Sequence, residues 1–173
     1  MRDVGVLGVG QTPVGEHWDR SIRDLAVDAA RAALEEAGLD RVDAVYVGNM
    51  ASGLLCGQEN LATLVADAAG LLPAEAVKIE AACASGGAAV RAGFQAIAGG
   101  LHQRVLVVGV EKMTDRLTDG VTAALATAAD ADYEAAHGAS FVALNALLMR
   151  RSSRYRRMRK ALRATKEAPC AAS

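Results

Sequence analysis

Four short apolar runs, separated by three stretches of helical periodicity, constrain this chain to one broad architecture. The runs are residues 4–9 (VGVLGV), 43–48 (DAVYVG), 77–79 (VKI) and 104–110 (RVLVVGV). Their near-continuous apolar character, rather than strict alternation, is that of strands buried on both faces. Between the first two runs, Ile22, Leu25, Ala26, Ala29, Ala33 and Leu34 recur at helical spacing. Ser21 is placed to cap that helix with Asp24 as the reciprocal acid, and Gly38 to close it. Residues 59–70 set Leu61, Leu64, Val65 and Ala68 on one helical face, and residues 85–98 form a helix rich in small side chains. The order βαβαβαβ predicts a mainly parallel sheet with helices on both faces, an α/β fold. After residue 110 the pattern changes. Residues 114–138 read as loop with short helices, and residues 139–151 as one more helix.

Composition excludes several classes. With 52% hydrophobic and 23% charged residues, a packed core is expected rather than disorder. No apolar run reaches the roughly 18 residues that span a bilayer, and the N-terminus lacks the basic start and uninterrupted apolar stretch of a signal peptide. A cytoplasmic protein with no membrane partner is the expectation. Cys56, Cys83 and Cys170 are odd in number and far apart, which is no disulfide framework. The histidines, His17, His102 and His137, have no second ligand at metal spacing, so no metal is expected, and His102, after Gly99-Gly100-Leu101 in a helix–strand loop, reads as solvated. Gly8-x-Gly10-x-x-Pro13 breaks the dinucleotide fingerprint at its last glycine, and neither a phosphate-binding GxxxxGK[ST] loop nor a GxSxG elbow occurs.

The candidate for chemistry is Cys83, in Glu80-Ala81-Ala82-Cys83-Ala84-Ser85-Gly86-Gly87. It falls where the third apolar run meets the third helix. Ligands of open α/β sheets bind beyond the carboxyl ends of strands. A helix N-terminus carries partial positive charge that favours a thiolate. Ser85 and Gly86 are small enough to let a bulky thioester approach the backbone, and the Cys83 N–H would face a developing oxyanion. The plain alternative is a buried, inert cysteine.

Several segments resemble the thiolase family, close to its acetyl-CoA acetyltransferase and sterol-carrier-protein-type branch. They are GVGQTPVG at 8–15, VYVGNM at 45–50, EAACASGGAAV at 80–90, VLVVGVEKM at 105–113 and HGASFVALNALLMRR at 137–151. The resemblance implies an N-terminal α/β half-domain over 1–113 and part of a loop domain over 114–151. It implies that Cys83 takes an acyl group from an acyl-CoA, for a Claisen condensation or, in reverse, thiolysis of a 3-ketoacyl-CoA. His137 and Gly138 resemble a segment lining the pantetheine channel, and Met113 a residue shaping the acyl pocket; a surface histidine and a packing methionine are the ordinary alternatives. Glu111 and Lys112 read as structural. No cofactor is implied, coenzyme A entering as the substrate thioester. Acetyl-CoA or another acyl-CoA, a second copy of the chain and, by analogy, a hydroxymethylglutaryl-CoA synthase of the mevalonate route are the implied partners.

The GHP and NxxGG motifs and the second catalytic cysteine segment of that family do not occur in these residues. The expectation is therefore a thiolase-like chain inactive alone, the alternative being a non-catalytic subunit or remnant that dimerises or binds a partner. Charge marks a break. Residues 1–149 hold 10 basic and 19 acidic side chains, a balance of −9, whereas residues 150–173 hold nine basic side chains and one acid, a balance of +8. Residues 152–173 are read as a basic tail, frameshifted or disordered. The rival is a native arm binding a polyanion, but Tyr155 is its only aromatic and no nucleic-acid-binding module accompanies it. No nucleic-acid partner is expected.

Overall fold

The computed structural model describes residues 2–138 and 141–167, with side chains to residue 157 in the last helix. The chain divides into two compact units, Met1–Leu125 and Ala126–Ser173.

The first unit is built on helix α1 (Ile22–Ala37), strand β1 (Ala44–Gly48), the short helix α2 (Ser52–Cys56), α3 (Leu61–Ala69), β2 (Glu75–Ile79), α4 (Ser85–Ala98) and β3 (Val105–Gly109). The three strands form one parallel sheet in the order β2-β1-β3. Ala44 pairs with Glu75 on one side and with Val105 on the other, and the register runs on to Gly48 beside Ile79 and Gly109. Every residue of the central strand β1 is buried. Helices α1 and α3 cover one face, where Ile22, Val27, Leu34, Leu61 and Val65 pack on Val45, Val47, Leu106 and Val108. Helix α4 covers the other, packing Ala89 and Ala96 on Ala44 and Tyr46. This is the expected α/β layering.

Local signals explain the boundaries. Ser21 Oγ accepts the Asp24 N–H and the Asp24 carboxylate accepts the Ser21 N–H, each at 3.1 Å, so the capping box forms as the sequence predicts. At the start of the sheet, Asp43 Oδ2 accepts the N–H groups of Gln103 and Arg104 at 2.8 and 2.9 Å. Those backbone hydrogen bonds hold its carboxyl below the usual carboxylate range.

Two expectations are corrected. Residues 4–9 form no strand; Val6, Leu7 and Val9 are 83%, 66% and 65% exposed. Both edges of β1 are taken by β2 and β3, which leaves this stretch without a ladder there. It runs instead along α1: a Cβ on Gly8 would fall 2.4 Å from the Ala33 carbonyl oxygen, and the Val9 N–H donates to Glu36 Oε2 at 2.9 Å. His102, read as a solvated loop residue, is largely covered, its Nε2 lying 3.3 Å from Glu75 Oε2. Glu75 in turn accepts the Tyr46 hydroxyl.

Helix α5 (Thr118–Ala126) begins in the first unit, where Ala124 is buried with Ala51 and Leu55. That unit thus runs past residue 113. In the second unit a π-helical turn covers Ala131–Ala135, and α6 covers Phe141–Glu167. Helix α6 carries on through the basic stretch from Ser152 to Glu167. Residues 139–168 hold no glycine or proline and are rich in Arg, Ala, Leu and Met, which are good helix formers. Of the expected tail, residues 168–173, with Cys170, lie outside the described residues. Among the described residues, no helix is long and apolar enough to cross a membrane.

Candidate active site

Strand β2 ends at Ile79, and the chain turns through Glu80 and Ala81 into a 3-10 turn, Ala82–Ala84, that feeds α4. Cys83 sits exposed in this turn. Ala82, just before it, has φ of 48°, a left-handed conformation uncommon for a residue with a Cβ. Three groups hold it there. Glu80 Oε1 accepts the Ala82 N–H at 2.5 Å. The Ser85 hydroxyl donates to the Ala82 carbonyl at 2.6 Å and accepts the Ala81 N–H at 2.9 Å. The Ser85 N–H also reaches the Ala82 carbonyl.

Ser85, expected to meet substrate, is buried and spends its hydroxyl on this turn. The backbone of Ser85 and Gly86 lies against the sheet: a Cβ on Gly48, the last residue of β1, would lie 2.8 Å from Gly86 Cα and 2.6 Å from the Ser85 carbonyl oxygen. The missing side chain at Gly48 is what lets the start of α4 settle on β1. Among the described residues no side chain caps α4, whose N-cap is Ala84. An exposed thiol beside an uncapped helix start is a place for a nucleophile that builds negative charge.

The ends of β1 and β3 are tied beside the sheet by a polar network that the sequence did not reveal. Asn49 is 1% exposed; its Nδ2 donates to the Val110 carbonyl at 2.8 Å and to Glu111 Oε1 at 3.0 Å. Glu111 Oε2 accepts the Met50 and Ala51 N–H groups. Lys112 is buried and paired with Asp115. Glu111 and Lys112 thus brace the loops, in line with a structural reading. Met113 is 38% exposed. The one signal for Asn49 was its type, a polar residue directly after an apolar strand.

Cys56 is a different thiol. It lines a cavity of about 450 Å³ with Ile22, Arg23, Gln58, Asp115 and Arg116. Its Sγ donates to the Lys112 carbonyl at 3.5 Å, and burial, with Asp115 adding to it, pushes the thiol above its ordinary value. It is held protonated. His137 and Gly138 belong to the second unit. There His137 Nδ1 lies 2.5 Å from the Tyr133 carbonyl oxygen, its ring tilted against Tyr133, and Gly138 at φ of 66° donates to the Ala135 carbonyl. They close the π-helical turn.

Comparison with known proteins puts this geometry in context. Residues 4–150 match the family described as thiolase, N-terminal domain. The chain is 50% identical over 153 residues to the acetyl-CoA acetyltransferase of Methanothermobacter thermautotrophicus, covering 87% of this chain and 39% of that protein. It is 48% identical over 153 residues to the acetyl-CoA acetyltransferase of Methanocaldococcus jannaschii, covering 87% and 38%. Benzoylsuccinyl-CoA thiolase subunit BbsB of Thauera aromatica is 36% identical over 141 residues, 80% of this chain and 34% of that one. Among solved structures, 3-oxoacyl-[acyl-carrier-protein] synthase III of Aquifex aeolicus superposes with a TM-score of 0.51 at 27% identity, over 56% of this chain and 32% of that chain. The chain spans about two fifths of the length of the two acetyltransferases it matches.

Proposed function

The chain belongs to the thiolase N-terminal-domain family, and from that premise we propose that Cys83 is the acyl-accepting nucleophile of an acetyl-CoA acetyltransferase. The Cys83 sulfur attacks the thioester carbonyl of an acyl-CoA. The carbonyl π electrons move to oxygen, where the Cys83 N–H and the uncapped start of α4 are the proposed donors. The tetrahedral adduct collapses, the C–S bond to coenzyme A breaks, and the thiol proton leaves with the departing thiolate. In the second half-reaction, a base takes the α-proton of another acetyl-CoA, the carbanion attacks the carbonyl of acetyl-Cys83, the C–S bond to Cys83 breaks, and acetoacetyl-CoA leaves while the Cys83 sulfur takes back a proton as thiol. Thiolysis is the reverse.

The observation that carries this reading is the exposed Cys83 on a hydrogen-bonded, left-handed turn between β2 and α4. Deprotonation at the α-carbon needs a base, and the histidine of the described second unit is bound to backbone. Acylation is therefore the half-reaction proposed for this chain. The second reading, a subunit without turnover of its own, rests on the same fact. Self-association is supported by apolar surface on the sheet edge and α4, where Val77, Val90 and Phe94 are 40%, 60% and 47% exposed. A cytoplasmic role feeding a hydroxymethylglutaryl-CoA synthase is proposed by analogy with the family.

The test is intact-mass analysis after incubation with acetyl-CoA. The expected result is a single acetyl adduct that is lost in Cys83→Ala. A folded wild-type chain that takes no acetyl group, or an adduct that persists in the variant, overturns the assignment of Cys83.

A further inference from the structure

We infer that Glu80 is a positioning residue for the Cys83 nucleophile, an inference that rests on the acyl-transfer reading above. Cys83 follows a residue held against its own preference. Alanine at φ of 48° reverts to right-handed backbone unless its surroundings over-determine it. Reversal at Ala82 would swing the Cα–Cβ bond of the next residue and so re-aim the thiol. The two polar groups of Ala82 are held by different partners. Its carbonyl is taken by the buried Ser85 through hydroxyl and backbone N–H, which secures the helix side of the turn. Its N–H is taken by Glu80 Oε1, which secures the strand side.

Glu80 itself is exposed, and its carboxylate folds back onto the backbone two residues ahead. A glutamate free in solvent has little reason to adopt that conformation unless the acceptor is needed there. The carboxylate is a charge-assisted acceptor, which suits the task of outweighing a backbone preference. A carboxylate and an ammonium act in opposite senses on any neighbouring thiol, whereas only the carboxylate can accept the Ala82 N–H. That opposition makes positioning separable from charge.

The experiment follows two rates at Cys83 in the full chain: acetylation by acetyl-CoA, and alkylation by iodoacetamide located by peptide mapping. Glu80→Ala is expected to slow both about fivefold, the scale of one net hydrogen bond. Glu80→Gln keeps an oxygen acceptor and is expected to stay within about twofold of wild type. Glu80→Lys is expected to slow both as Glu80→Ala does, although its positive charge favours thiolate. In an Ala82→Gly background, where φ of 48° carries no Cβ penalty, Glu80→Ala is expected to change either rate less than about twofold. Unchanged rates in Glu80→Ala, a rise in Glu80→Lys, or an equal loss in both backgrounds overturns the inference. Alkylation that follows this pattern in a chain taking no acetyl group would refute the acyl-transfer reading while leaving the positioning of Cys83 intact. Acetylation that proceeds equally in every variant would do the opposite.

Discussion

Gly48 and Ser85 meet where the central strand touches the helix that follows Cys83: a Cβ on Gly48 would fall 2.6 Å from the Ser85 carbonyl oxygen. The contact is backbone to backbone, so no side chain can rotate aside to relieve it. Gly48→Ala must therefore push the start of α4 off the sheet. The expected cost is about 1–3 kcal/mol of stability, the range for inserting a methyl into a packed site. Urea midpoints would measure it, and Cys83 acetylation should slow in the same variant. An unchanged midpoint would show that α4 sits more loosely than this contact requires.

The two described thiols differ in environment, and their reactivity should differ with it. Cys83 is exposed, whereas Cys56 is half-buried, hydrogen-bonded to the Lys112 carbonyl and shifted upward by burial. At neutral pH, iodoacetamide is expected to label Cys83 at least about tenfold faster than Cys56, because thiolate is the reacting form. Time-resolved peptide mapping gives both rates at once. Faster labelling at Cys56 would contradict the burial seen for it.

Asp43 links acid sensitivity to the sheet. Its carboxyl is held below its ordinary value of 3.8 by the Arg104 and Gln103 backbone N–H groups. A depressed carboxyl stabilises the fold above the unfolded-state value, and that stabilisation is lost as pH falls through the folded one. Asp43→Asn should be less stable than wild type at neutral pH. The gap should narrow on acidification below the ordinary value of 3.8, as wild type loses the advantage too. Denaturation midpoints at both pH values decide the matter, and a gap that widens in acid would reverse the assignment.

The capping box offers a smaller and cleaner effect. Ser21→Ala removes the acceptor for the Asp24 N–H and is expected to lower stability by about 1 kcal/mol. Because Ser21 lies far along the chain from Cys83, alkylation of Cys83 should not change. A loss of reactivity there would mean that α1 reaches the turn through the sheet.

Much of the scaffold is legible in the sequence. The capping serine, the α1 and α3 stripes, the apolar runs of the three strands and the place of Cys83 between a strand and a helix all show as patterns within a few residues of chain. The stretch at residues 4–9 was not legible in the same way. Its composition is that of a strand, but a strand exists only with a partner, and both edges of β1 are occupied by segments far along the chain. The tail shows the reverse case. Its charge pointed to a separate segment, yet uninterrupted helix formers carry α6 through it as far as Glu167.

The sequence by itself determined the periodicities, the caps and the thiol at a strand-to-helix junction, because each depends on neighbours along the chain. Only the tertiary structure decided that His102 meets Glu75, that Asn49 and Glu111 tie the strand ends together, and that Gly48 lets α4 reach the sheet. It also decided that Ala82 is left-handed and that the Ser85 hydroxyl braces the turn. Those outcomes depend on which distant groups arrive within hydrogen-bond or van der Waals distance, and local pattern carries no record of that distance.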